Sequence, residues 1–281
     1  MRNQAEQRIA DTEAAYSSVR IAVPTAYADV FSHFYFAENN TDEVVARTLL
    51  PSYQTILVFC FGKNALLRTQ QNTPLEVDKC LVLGPIKKAF DYALFPQSSI
   101  LVANFKHDGF YRFFGTASIG ERPLLHPDEL LEENCFTALW AELNQIPEVM
   151  RRVDYMLDFC KPYLGRRNII AERLANFNKQ NLDPIKAVAN EQTQTERNIQ
   201  LHHKKHFGYS AKELNRYRRF LSVIERIQVI ATNHSRMDWF EVIDECGYYD
   251  QSQLIHDFKY YLNMTPVKYL EFQQDICNPM S

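Results

Sequence analysis

The side chains best placed for chemistry lie near the C-terminus, in the run Gly247-Tyr248-Tyr249-Asp250-Gln251-Ser252-Gln253-Leu254-Ile255-His256-Asp257-Phe258-Lys259. Leu254, Phe258 and Leu262 recur every four residues, the spacing of a buried helical stripe. Gln251, Ser252, His256 and Lys259 fall largely off that stripe. Amides, a hydroxyl, an imidazole and an ammonium group on a short helix suit hydrogen bonding to base edges in the DNA major groove. They do not suit bond breaking. Other candidate groups are weaker. Glu132-Glu133 and Asp244-Glu245 are adjacent, so they diverge around a helix and cannot share acid/base work. His33, His107 and His126 are far apart in sequence, and His202, His203 and His206 sit in a helical stretch where DNA-facing or partly buried roles fit better than ligation. The chain carries neither a glycine-rich phosphate loop nor a nucleophile elbow. No catalytic residue, cofactor or metal is expected.

The elements that must position these groups read as helix, turn, helix, turn, helix. Gly247 ends the first, because a residue without Cβ takes the left-handed conformation that a helix C-terminus needs. Asp250 caps the second, with Gln253 three positions on as in a relaxed capping box. Thr265-Pro266 starts the third, a capping hydroxyl followed by proline at the first helical position. From Gly247 to Leu270, with Phe258-Lys259, Met264-Thr265-Pro266 and Tyr269-Leu270 in register, the chain closely resembles the second helix-turn-helix of AraC-type bacterial transcription regulators. The resemblance implies a DNA reader, with Gln251, Ser252, Gln253, His256 and Lys259 at the DNA. His256 stands where the family often has arginine.

A first helix-turn-helix is expected between Ile169 and Phe207. Ile170, Leu174 and Phe177 line its opening helix; Asp183-Pro184 caps the next, with Ile185, Val188 and Ala189 inward. Thr195 caps a recognition helix that ends before Gly208. The resemblance is looser here. The family pattern keeps its cap as Thr195, its arginine as Arg197 and its leucine as Ile199, but has Thr193 for the turn glycine, Leu201 for the second arginine and His203 for the phenylalanine. Thr193 can stand there only if the turn tolerates a side chain. The residues expected at DNA are Thr195, Arg197, Gln200 and Lys204, with Leu201 removing a bidentate donor. Ser210-Ala211-Lys212-Glu213 is a full capping box for a long helix to about Ala231, which in the family joins the two units. Arg216, Arg218 and Arg219 on its flanks have two readings, phosphate contact or a solvated face.

The rest of the chain differs in pattern. Residues 1–20 read as a frayed arm or a short helix, and from Ile21 to about Gly115 short apolar runs at 30–36, 55–61 and 100–105 look like strands of a barrel or sandwich. Phrases such as Leu83-Gly84-Pro85 and Gly109-Phe110-Tyr111-Arg112-Phe113 are similar, more weakly, to the cupin-like sensor domain of one branch of these regulators. Helical periodicity begins at Pro127; one helix carries Leu130 to Leu143 and another runs from Pro147 to Cys160, either pairing with a second subunit or packing back on the barrel. Gly165-Arg166-Arg167-Asn168 is the expected hinge. The fold class expected is α+β: a β-rich unit at 1–125, a helical connector at 126–165 with a possible dimerisation role, and an all-α unit at 166–281 with two helix-turn-helix motifs.

Composition and charge set the outer limits. Apolar residues make up 46% and charged residues 23%, which describes a soluble globular chain. The six cysteines are scattered without a Cys-x-x-Cys pair, and there is neither a spanning apolar run nor the apolar core of a signal peptide, so a reduced cytoplasmic protein is expected. Net charge is −3, but residues 195–226 concentrate eight Lys and Arg against Glu196, Glu213 and Glu225. Phosphate contact needs such a local basic stripe rather than a basic protein. The function expected is sequence-specific regulation of transcription on double-stranded DNA, with a small-molecule effector, RNA polymerase and a second copy of the chain as candidate partners and no membrane. The competing reading is a small-molecule-binding or catalytic barrel whose degenerate helix-turn-helix serves protein contacts.

Overall fold

The computed structural model describes residues 16–68, 74–117, 125–178, 182–232 and 237–275. Nine strands come first: β1 Tyr16–Ile21, β2 Phe31–Asn39, β3 Val45–Leu49, β4 Ile56–Gly62, β5 Ala65–Arg68, β6 Pro74–Val77, β7 Cys80–Leu83, β8 Phe90–Leu94 and β9 Ser98–Phe105. They form two antiparallel sheets, one ordered β1-β2-β9-β4-β7 and the other β3-β8-β5-β6. Tyr16–Ile21 is thus an edge strand, where the sequence suggested an arm or a short helix. Val19 on it stays exposed, so the strand lacks the apolar alternation that would have announced it. The turn-prone run Gln70-Gln71-Asn72-Thr73-Pro74 falls mostly outside the described residues.

Period-two alternation sorts the side chains of the five-stranded sheet between two cores. Phe34 and Phe36, Leu57, Phe59 and Phe61, and Leu101, Ala103 and Phe105 face helices. Ala37, Ile56, Val58, Cys60, Ile100 and Val102 face the second sheet, meeting Ala65, Leu67, Val77 and Leu94. The central strands β4 and β9 are therefore buried on both sides, which is why they read as continuous apolar runs.

The helices on the first face are α1 Gly109–Phe114, α2 Pro127–Leu131, α3 Cys135–Gln145 and α4 Val149–Cys160. The single helix expected from Leu130 to Leu143 is two, because Glu132 takes a left-handed conformation (φ 56°) between them. Asp128 then receives the backbone N–H groups of Phe136 and Thr137 at 2.6 and 3.2 Å, clasping the start of α3. Phe136, Leu139, Leu143, Val153, Met156 and Leu157 all turn onto the sheet. Of the two roles open to this connector, packing back on the sandwich is the one its apolar faces serve here.

The stretch expected to be a hinge is clasped. Gly165 N–H donates to the Arg112 carbonyl at 2.9 Å, and Arg112 Nε returns a bond to the Gly165 carbonyl at 3.2 Å. Arg167 forks onto the fully buried Asp108 at 2.8 and 3.1 Å. A buried carboxylate is stable only when paired in this way.

The C-terminal half contains α5 Ile169–Ala175, α6 Pro184–Glu191, α7 Glu196–Phe207, α8 Ala211–Thr232, α9 Trp239–Glu245, α10 Gln251–Leu262 and α11 Pro266–Asp275. One apolar core crosses from this half to the sandwich, joining Tyr53 and Ala89 to Phe207, Tyr209, Tyr217 and Tyr261. Tyr53 stacks on Tyr217 with ring centroids 4.6 Å apart and meets Tyr209 edge-on at 5.0 Å. The Tyr217 hydroxyl donates to the Pro51 carbonyl, and Ala89 N–H donates to the Tyr261 carbonyl at 2.8 Å. Lys87 reaches Glu213 at 2.7 Å. Partial burial opposes ionisation of Glu213, but its bonds from Lys87 and Ser210 outweigh that and bring its pKa down to about 2.

Tyr53 is the central aromatic of this seam. Truncating a buried aromatic side chain costs about 3–5 kcal/mol. Tyr53→Ala should lose stability in that range in urea melts and should separate unfolding of the helical half from that of the sandwich; an unchanged single transition would show that the seam does not couple them.

Candidate nucleic-acid interface

Two helices of twelve residues, α7 and α10, have matching ends. Thr195 Oγ1 accepts the Asn198 N–H and Asp250 Oδ1 accepts the Gln253 N–H, while Gly208 and Asn263 close the C-termini in left-handed conformations. Caps and closures share one offset, since 250 minus 195 and 263 minus 208 both equal 55. By that register Arg197 corresponds to Ser252, Leu201 to His256, His202 to Asp257 and Lys204 to Lys259. The sequence repeats one structural unit whose caps and closures agree, while both buried pairs such as His203 and Phe258 and exposed pairs such as Leu201 and His256 differ.

The turns that lead into these helices are built alike. Gln194 N–H returns to the Ala189 carbonyl and Tyr248 N–H to the Ile243 carbonyl, each at 2.9 Å. Both turns need a left-handed residue, supplied by Thr193 (φ 52°) and Gly247 (φ 69°). Glycine takes this conformation freely, whereas a β-branched residue is strained there. The turn does tolerate threonine, at a cost.

The residues expected at DNA are on the surface. Thr195, Arg197, Gln200 and Lys204 are exposed on α7, and Gln251, Ser252, His256 and Lys259 are exposed on α10. Gln253 differs: it is half-buried, and its side-chain oxygen accepts the Tyr249 N–H at 3.0 Å, so its carbonyl serves the helix cap. Leu201 is 60% exposed among the polar residues of α7, and an exposed apolar side chain there can contact only the methyl group of thymine in the groove. His203 occupies the missing phenylalanine's place in the core, with Nδ1 donating to the Tyr209 carbonyl at 2.8 Å and its ring stacked on Phe207. Burial holds His203 and His206 below the usual histidine pKa. His202 and His206 lie ring over ring, and His206 packs against Tyr111 of α1 at 4.2 Å. His33 instead bonds Ser32 and Arg20, and His126 caps α2, so neither approaches this group.

The helix between the two units has 22 residues, about 33 Å at 1.5 Å per residue. Its capping box is formed as read, with Ser210 Oγ and Glu213 bonding each other's backbone N–H groups. Its arginines are mostly committed elsewhere than to solvent. Arg216 and Arg219 both reach Asp257 on α10, at 2.7 and 3.4 Å, and Arg226 reaches Glu241 and Glu245 on α9. Arg218 is exposed. Asp257 also accepts the Tyr248 hydroxyl at 2.9 Å, and its side chain is 1% exposed. This buried network was not legible in the sequence, because Asp257 looks like any polar residue next to Phe258; the only signal was an acid on the inner side of an otherwise apolar stripe.

The sandwich touches the rear of both α7 and α10. Gly208 sits so close to the Ala117 carbonyl that a Cβ would lie 2.3 Å from its oxygen. Ala89 holds the C-terminal turn of α10 through Tyr261, and Lys88 lies over the Tyr260 ring at 4.8 Å. Both outward faces remain free of these contacts.

Removing the strain at Thr193 by Thr193→Gly should raise stability by about 1 kcal/mol, and Gly247→Ala should lower it by about 1 kcal/mol, in thermal melts of the full chain. Equal responses would show that the turns are not equivalent. Asp257→Asn should cost about 3–5 kcal/mol, since it leaves two partly buried guanidinium groups uncompensated; a loss under 1 kcal/mol would make the network a surface one.

Comparison with known proteins agrees with the C-terminal geometry. Residues 233–271 match the model for bacterial regulatory helix-turn-helix proteins of the AraC family, a segment that contains α9, α10 and the start of α11. No curated protein sequence matches the chain. Among solved structures, ToxT from Vibrio cholerae O395, bound to (E)-4-(8-methylnaphthalen-1-yl)but-3-enoic acid, is 12% identical, covering 92% of this chain and 98% of its own with a TM-score of 0.38. A structure of wild-type ToxT from strain SCE256 bound to unsaturated fatty acid covers 94% and 97% at 12% identity and a TM-score of 0.37. An RmlC-like cupin protein from Desulfovibrio desulfuricans covers 34% of this chain and 84% of its own, at 8% identity and a TM-score of 0.26.

Proposed function

Starting from an AraC-family helix-turn-helix at residues 233–271, we propose that the protein is a sequence-specific DNA-binding regulator of transcription. The observation that carries the reading is the outward face of α10. Gln251, Ser252, His256 and Lys259 are exposed on a helix whose opposite face is fully committed to core. These groups match the donors and acceptors of major-groove base edges. A second capped helix of the same length, α7, leads directly into α8, the helix on which α10 packs through Asp257. In this reading Gln251, Ser252 and His256 read bases, Arg197 and Gln200 read the adjoining half-site, and Lys204 and Lys259 hold phosphates.

The sandwich is the sensor or interaction part of the reading. The space between its sheets is filled by Ile56, Val58, Leu67, Leu94, Ile100 and Val102. A groove of about 560 Å³ lies instead against Ala46, Leu66, Ala93 and Phe95, with Arg47 and Arg68 at its rim. That groove supports a small-molecule effector taken at the sheet surface. No helix among the described residues is long and apolar enough to cross a membrane.

Affinity for duplex DNA should fall steeply with salt, because each neutralised phosphate releases counterions. In a salt titration Lys259→Ala should reduce the slope by about 1 and weaken all sequences alike, while Gln251→Ala should cost about 1–3 kcal/mol on the preferred sequence and little on random DNA. Salt-independent or undetectable binding would favour the rival reading, in which the helix-turn-helix units contact protein.

A further inference from the structure

The Asp257 network does more than hold two helices together. Arg216 Nε donates to Asp257 Oδ1 at 2.7 Å, and Arg216 Nη2 lies 3.0 Å from Nδ1 of His256. The guanidinium is also packed over the Tyr260 ring at 4.6 Å, so its position is fixed from a second side. A guanidinium has only N–H donors and keeps its proton in proteins. His256 Nδ1 must therefore accept. The neutral imidazole then carries its proton on Nε2, since one ring nitrogen donates when the other accepts. Asp257 Oδ1 lies 4.0 Å from Nδ1, outside hydrogen-bond reach. The His256 side chain is 73% exposed, on the outward face of α10.

We propose that Arg216, itself held by buried Asp257, fixes His256 as the Nε2–H tautomer, and that His256 thereby selects guanine in the major groove. The inference rests on the DNA-reading function proposed above. In the groove guanine presents two acceptors, N7 and O6, and no donor; adenine pairs its N7 with an N6 amino donor, thymine offers O4 beside a methyl group, and cytosine offers only a donor. A fixed N–H donor gains most at guanine and is opposed at cytosine. The other tautomer would present an acceptor and read an amino group instead. Arg216 is thus a positioning residue and His256 the residue that determines specificity. At the corresponding position of α7, Leu201 has no such choice to make.

Two measurements on the full chain test this. Long-range ¹H–¹⁵N correlation of the histidine rings near neutral pH should show His256 with Nδ1 unprotonated and Nε2 protonated. In a chain carrying both Arg216→Ala and Asp257→Asn, which leaves no lone carboxylate behind, both tautomers should appear. Selection from random duplex DNA should then give a motif with a guanine that His256→Ala alone flattens by about tenfold, with other positions kept, and that His256→Arg retains, because arginine reads guanine by two bonds. An Nδ1–H ring in the wild-type chain, or a flattened position that is an A·T pair, would overturn the proposal while leaving DNA reading intact. A pool without any enriched motif would overturn DNA reading itself, and the guanine assignment with it, whatever the tautomer.

Discussion

Asp257 is buried to 1% on the helix whose other face is the candidate reading surface. A charge in that position is stable only with cations brought to it, and the two that arrive come from α8, the helix that spans the two units. The pairing fixes the rotation of α10 about its own axis relative to α8, and so decides which side chains face outward. Everything proposed for Gln251, Ser252 and His256 depends on that rotation. A packed apolar stripe alone would hold α10 in place but would tolerate small slips; a forked guanidinium on a carboxylate does not.

The two units solve the same problem with different chemistry. In α7 the position of Asp257 is His202, and the helix is anchored instead by neutral groups: His203 to the Tyr209 carbonyl, His206 against Tyr111, and Gly208 pressed on Ala117. Two of those three contacts reach into the sandwich half. Around its own core of Ile170, Ile185, Val188, Ala189 and Ile199 the first unit touches the N-terminal half through Tyr111 and Ala117, while the second pairs Asp257 with α8 and touches that half through Ala89 and Lys88. A change in the sandwich would reach both helices, which gives the seam around Tyr53 a route to alter the relation between α7 and α10.

Much of this was legible in the sequence because it is local. Caps at Asp183, Thr195, Ser210, Asp238 and Asp250, the closing Gly208 and Gly247, and the four-residue recurrence of Leu254 and Phe258 each depend on neighbours within a few residues. Strands β4 and β9 were legible because burial on both faces leaves an unbroken apolar run. What escaped was long-range. β1 is an edge strand without apolar alternation, and Glu132 breaks the connector helix by a left-handed turn that no glycine or proline marks. The clasp of Gly165 and Arg167 onto Arg112 and Asp108 joins residues more than fifty positions apart, so a glycine-arginine stretch that reads as a hinge is held fast. For the same reason the arginines of α8 read as phosphate contacts or a solvated face, although two of them serve Asp257 some forty residues away.

In the function proposed here α7 and α10 act together on one duplex. Hydroxyl-radical footprinting on the sequence that the protein selects, at about physiological salt, measures it most directly. Two protected blocks are expected on one face of the DNA, with centres one helical turn apart, about 34 Å. A single block would contradict it, because one of the two helices would then hold no DNA.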